Sequence, residues 1–87
     1  MSVTVDLTYD MGKSLGESRL ELDGATTVAD VMRLTRERFG AEGPRFDTLS
    51  RVTAIAVNGV LVSYRRGLKT TLSDGDRIAF VKAAAGG

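Results

Sequence analysis

The sequence ends Lys82-Ala83-Ala84-Ala85-Gly86-Gly87, and the last residue of that run offers its most distinctive chemistry. A free carboxylate on Gly87 has a pKa near ~3.5, so at neutral pH it is ionised and a poor electrophile. It becomes an acyl donor only after activation. Gly86 and Gly87 lack a Cβ, so a narrow channel could close on their backbone from every side and impose torsions that other residues resist. Ala84 and Ala85 are the next smallest choice. The five residues beyond Lys82 span at most roughly 17 Å, about 3.5 Å each, enough to thread a carboxylate into a buried site. Ordering such a tail costs roughly 1–2 kcal/mol per residue, which leaves affinity to the folded body and chemistry to the tail.

Little else in the chain competes for a chemical role. There is no cysteine and no histidine among the 87 residues. Their absence removes the thiol nucleophile, the disulfide, the imidazole acid/base and the usual transition-metal ligands, so no metal site is expected. Ser63, Tyr64 and Lys69 could be assembled into a notional catalytic group. No base and no glycine-rich phosphate loop supports them, and an independent enzyme is the least favoured reading. Twelve basic against 11 acidic residues leave a net charge of +1, without the field that draws a chain onto nucleic acid. No stretch approaches the ~20 apolar residues of a membrane span. The start, MSVTVDLTYD, has no basic segment followed by an apolar run, so no secretory signal and a cytoplasmic location are expected.

The elements that would carry the tail can be read from periodicity. Val3, Val5, Leu7 and Tyr9 alternate with polar residues and predict a first strand. Asp10 to Gly16 breaks the pattern as a loop, and Leu20 and Leu22 begin a second strand and close a hairpin. A helix over Val28–Phe39 follows, with Thr27 as N-cap, Asp30 at the third position and Gly40 beyond the end. Its core face is Val28, Val31, Met32, Thr35 and Phe39, opposite Asp30, Arg33 and Glu37. Ala41 to Arg51 reads as an irregular segment or short helical turn around Phe46 and Leu49. Asn58-Gly59 predicts a type I′ turn between strands at Ile55–Val57 and Val60–Val62. The basic stretch with Arg65, Arg66 and Lys69 reads as a solvated loop, and the "LSDGD" turn feeds a last strand, Arg77–Val81. If the first and last strands are central neighbours, Ile78 and Phe80 meet the helix while Ala79 and Val81 face away. One 87-residue domain with one modest core is the expected whole.

"AVNG" at Ala56 to Gly59, "LSDGDRIAFV" at Leu72 to Val81 and the Gly86-Gly87 ending, in this order, resemble the ubiquitin-like β-grasp sulfur carriers, the MoaD/ThiS family. The resemblance implies an α+β fold, a mixed sheet of four to five strands packed on one helix. Residues 1–82 would form the β-grasp domain and 83–87 a flexible C-terminal tail. It further implies a sulfur-carrier protein, a co-substrate rather than an enzyme. No cofactor would be bound by this chain, since ATP is used by a ubiquitin-activating-like adenylyltransferase that adenylates Gly87. Sulfur would then leave a terminal thiocarboxylate for a sulfur-accepting synthase large subunit, with Ala84, Ala85 and Gly86 threading the tail and Ala79, Val81 and Lys82 docking the partner. Neither nucleic acid nor membrane is an implied partner. Length and the long first connection look more like the molybdopterin-type members; thiamine, cysteine and tRNA thiolation pathways use similar carriers. Two readings stay beside this one: a ubiquitin-like modifier joined through Gly87 to target lysines, and an interaction domain with an incidental tail.

Overall fold

The computed structural model describes residues 1–83. Five strands form one mixed sheet: β1 (Ser2–Asp6), β2 (Arg19–Asp23), β3 (Thr53–Val57), β4 (Val60–Leu61) and β5 (Arg77–Lys82), in spatial order β2-β1-β5-β3-β4. β1 runs parallel to β5 and antiparallel to β2, while β3 is antiparallel to both β5 and β4. The expected central pairing of first and last strands is therefore present. Alternation explains which face is covered: Val3, Val5, Leu20, Leu22, Val57, Ile78 and Phe80 are buried together. Each such side chain removed from water contributes roughly 1.5–3 kcal/mol.

The main helix spans Val28–Phe39, as expected. Among the described residues it is the second of three α-helices and is called α2. Val28, Val31 and Thr35 are buried, and Met32 and Phe39 pack half-buried at the margin. The Thr27 hydroxyl accepts from the Asp30 N–H at 3.2 Å. Asp30 reciprocates, accepting from the backbone N–H groups of Thr26 and Thr27 and from the Thr26 hydroxyl at 2.9, 3.2 and 2.8 Å. The Thr26 backbone bond is the main reason its carboxyl is held at about 2, below the ordinary 3.8. A carboxyl depressed by folding stabilises above its unfolded pKa, and that contribution is lost as pH falls through the folded value. Asp30→Asn is thus expected to flatten the stability profile between about pH 4 and pH 2 while leaving the neutral limb's slope unchanged. Urea midpoints measured across that range check it.

Thr35 is the one side chain whose buried polar atom finds no hydrogen-bond partner among the described residues. A buried hydroxyl left unpaired costs roughly 1–3 kcal/mol. Thr35→Val keeps the branched shape and removes that cost; an increase in stability of about 1 kcal/mol is expected in a denaturant titration, and a loss would contradict it.

The first connection, read as a loop, is a helix, and the segment read as irregular or a short helical turn contains a two-turn helix, so the main helix is joined by two shorter ones. Residues Tyr9–Leu15 form α1, started by Thr8, whose hydroxyl accepts from the Met11 N–H at 3.1 Å, and closed by Gly16 at φ 88°. Seven residues with one buried side chain, Met11, are too short to show a helical period. Consequently β1 ends at Asp6, and Tyr9 lies on α1 with its ring 79% exposed rather than continuing the strand. Residues Gly43–Ser50 form α3, with Pro44 in its first turn. Its Phe46 is fully buried, stacked on Phe39 with centroids 6.0 Å apart and edge-to-face with Phe80 at 5.6 Å.

The Asn58-Gly59 turn takes the expected form, with φ of 49° and 85°. The Asn58 side chain also holds the start of β5. It donates to the Asp76 carboxylate and accepts from the Arg77 N–H, both at 2.9 Å.

Candidate functional site: the root of the C-terminal tail

β5 sits inside the sheet, so its register determines where the tail begins. Burial of Ile78 and Phe80 selects that register, because a slip of one residue would turn Ala79 and Val81 inward instead. The ladder to β3 then runs from Val57 opposite Ile78 to Thr53 opposite Lys82, and the chain leaves the sheet at Ala83. The expected thread, Ala84, Ala85, Gly86 and Gly87, lies outside the described residues.

On the face away from α2, Ala79 stands opposite Ala56 and Val81 opposite Ala54. Val81 is exposed and Ala79 half-buried, so the two expected docking residues do share one low-profile apolar strip. Toward β1 and β2 this face becomes ionic. Arg77 Nε and Arg19 Nε each donate to one oxygen of Asp6 at 2.7 Å. The Arg77 bond leads in holding the Asp6 carboxyl below its ordinary range. The strip is therefore bordered by a charge cluster whose members satisfy one another.

Lys82, grouped with Ala79 and Val81 in the sequence-based expectation, is placed differently. With Ala83 it lines a cavity of about 360 Å³ at the end of β5, walled by the cap residue Thr8, by Tyr9 and Met11 from α1 and by Leu49 and Val52 after Phe46. Sequence reasoning missed this cavity because one wall was read as a loop and the other as an irregular segment or short helical turn. The signals were present but faint: Thr8 three residues before Met11 as a cap, and Phe46 and Leu49 three apart behind Pro44.

Ser63, Tyr64 and Lys69 fall in two successive 3₁₀ turns, Val62–Tyr64 and Gly67–Lys69, and all three are exposed to solvent. No hydrogen bond joins any of them to another among their described side chains. The arrangement offers no enclosed acid/base pair. Among the described residues, no helix is long and apolar enough to cross a membrane.

The fold of this five-stranded mixed sheet and its main helix recurs in solved structures. A chain of the complex of subunits 1 and 2 of the molybdopterin-converting factor from Helicobacter pylori 26695 is 26% identical, with a TM-score of 0.69 and full coverage of both chains at 100%. The BexX/CysO complex of Amycolatopsis orientalis contains a chain 26% identical, with a TM-score of 0.75, covering 98% of this chain and 99% of that one. Small archaeal modifier protein 1 from Methanosarcina acetivorans shares the fold at 22% identity, with a TM-score of 0.75 and coverage of 99% and 96%. No curated protein sequence matches the chain. The ThiS family model matches residues 10–87, from α1 through the final glycine, and the chain belongs to that family of ubiquitin-like β-grasp proteins.

Proposed function

We propose that this protein is a cytoplasmic sulfur carrier that works through the carboxylate of Gly87. In the first step a carboxylate oxygen attacks the α-phosphate of ATP on a ubiquitin-activating-like adenylyltransferase, releasing pyrophosphate and forming an acyl adenylate. A sulfur nucleophile then displaces AMP and leaves a terminal thiocarboxylate. The thiocarboxylate sulfur is delivered inside a second enzyme, a sulfur-accepting synthase subunit. Molybdopterin assembly is the favoured recipient; thiamine, cysteine and tRNA thiolation are the others.

The observation that carries this reading is the family match running through Gly87. The fold accounts for its division of labour. β5, buried between two neighbours, is a rigid stem, so a partner that grips the body places the tail's origin at Ala83 without having to order the stem. Gly86, Ala85 and Ala84 then thread the partner's channel, and Ala79 and Val81 give it a flat apolar surface. This chain supplies substrate and docking surface, and the catalytic groups belong to its partners. The similarity to complexes of two different proteins supports a partner subunit.

The test is the intact mass of the protein purified from its own host, searched for exchange of one oxygen for sulfur and localised to a C-terminal fragment. Oxidation of Met1, Met11 or Met32 adds nearly the same mass, whereas a fragment beginning after Met32 contains no methionine. Sulfur on that fragment is the expected result. A plain carboxylate accompanied by conjugates to lysines of other proteins would replace the carrier with a modifier, and neither species would reduce the chain to an interaction domain.

A further inference from the structure

We infer that the segment Val60–Lys69 is a second docking surface, which binds carboxylates around an apolar socket on the activating enzyme. This inference rests on the carrier reading above and adds to it the source of the body's affinity.

Arg19, Arg33, Arg36, Arg38, Arg45 and Arg77 each pair with an Asp or Glu. Arg65, Arg66 and Lys69 pair with none among the described residues, and no acidic residue occurs between Val60 and Leu72. Three uncompensated cations within five residues stand out on a chain whose net charge is only +1. Large apolar side chains accompany them: Tyr64 is 82% exposed and Leu68 is 54% exposed, beside the exposed Val60. Tyrosine and arginine are the residues enriched where protein interfaces concentrate their energy. A nucleic-acid surface would need a broader basic field than three cations beside apolar groups.

The segment is also held in place before any partner arrives. The Thr70 hydroxyl, buried, accepts from the Arg66 N–H at 3.2 Å, and the Thr70 carbonyl accepts from the Val28 N–H at 3.0 Å. Leu72 N–H donates to Thr26 at 2.9 Å, so the far end is tied to the start of α2. Tyr64, Arg65 and Arg66 thereby line a recess of about 310 Å³ with Thr70 and Thr71. Pre-ordered backbone lowers the entropy that docking must overcome. β4 lies two strands from β5, roughly 10 Å across the sheet, and level with Ile78 and Ala79, roughly 10 Å along the strand from Lys82, so a partner that spans both distances can cover this edge while it holds the tail.

The experiment is calorimetric binding of the full chain to the ubiquitin-activating-like enzyme of the same genome, without ATP, at about 0.05 M and about 0.3 M salt, with ATP-pyrophosphate exchange followed separately. Wild-type affinity is expected to weaken at least about tenfold between the two salts. Arg65→Glu/Arg66→Glu should bind at least about tenfold more weakly at low salt, lose the salt dependence and keep its melting temperature, because both residues are exposed. The Arg65→Lys/Arg66→Lys variant should recover most of the affinity. Equal binding by wild type and the charge-reversed variant overturns this inference and leaves the carrier reading standing on pyrophosphate exchange. Binding that depends on Arg65 and Arg66 but gives no ATP-pyrophosphate exchange supports the surface and overturns the carrier reading. No binding by wild type, self-association lost in the variant, or binding only to a duplex oligonucleotide overturns the inference.

Discussion

Adding one alanine after Gly87 is expected to reduce ATP-dependent activation to background while leaving thermal stability unchanged. In the proposed mechanism the attacking group is the carboxylate itself, and one more residue moves that group by roughly 3.5 Å. Misplacing a reacting atom by even 1 Å can cost about 10²-fold, so the extended chain should be inactive in pyrophosphate exchange with the activating enzyme. Stability should not respond, because β5 ends at Lys82 and the core residues all precede it. Retained activation would sink the terminal-carboxylate mechanism; a fall in melting temperature would show that the terminus contributes to the fold.

Phe46→Ala is expected to destabilise by about 3–5 kcal/mol, a large part of the ~5–15 kcal/mol available to a domain of this size. Its ring is fully buried and touches Phe39 from α2 and Phe80 from β5, so one truncation opens the junction of α2, α3 and the sheet. Phe80→Ala should fall in the same range. The edge-to-face pair adds a coupling of about 0.5–1.5 kcal/mol, visible in a double-mutant cycle by urea unfolding. A Phe46→Ala loss below about 1 kcal/mol would mean that the junction collapses onto the gap or that α3 is not docked in solution.

The same residue marks the limit of sequence reading. Period-two alternation identified β1 and β2, the turns at Asn58-Gly59 and Leu72–Asp76 placed β3 and β5, and the Thr27-Asp30 cap with Gly40 bounded α2, because those signals are local. The Asn58-Gly59 turn was equally legible, since few residues accept positive φ at two successive positions. α1 and α3 were not. Each has seven or eight residues and at most two buried, so no period emerges, and Phe46 among polar neighbours looks like an isolated apolar residue in an irregular segment or short helical turn.

The candidate site divides along the same line. The tail's composition and the outward pair Ala79 and Val81 follow from residue type and strand parity alone. The cavity at the root of the tail depends on α1 and α3 meeting beneath the end of β5, which no local pattern encodes. The unpaired charge at Arg65 and Arg66 is likewise a tertiary fact: pairing brings Asp6 between Arg19 and Arg77 from distant points of the chain and leaves Arg65 and Arg66 in no ion pair among the described residues. By itself the sequence determined the strands, the main helix and the small-residue terminus, since each depends on the intrinsic preference of a few adjacent residues. Only tertiary structure decided which charges are satisfied and where the tail is rooted, because both depend on which distant residues the fold brings within reach.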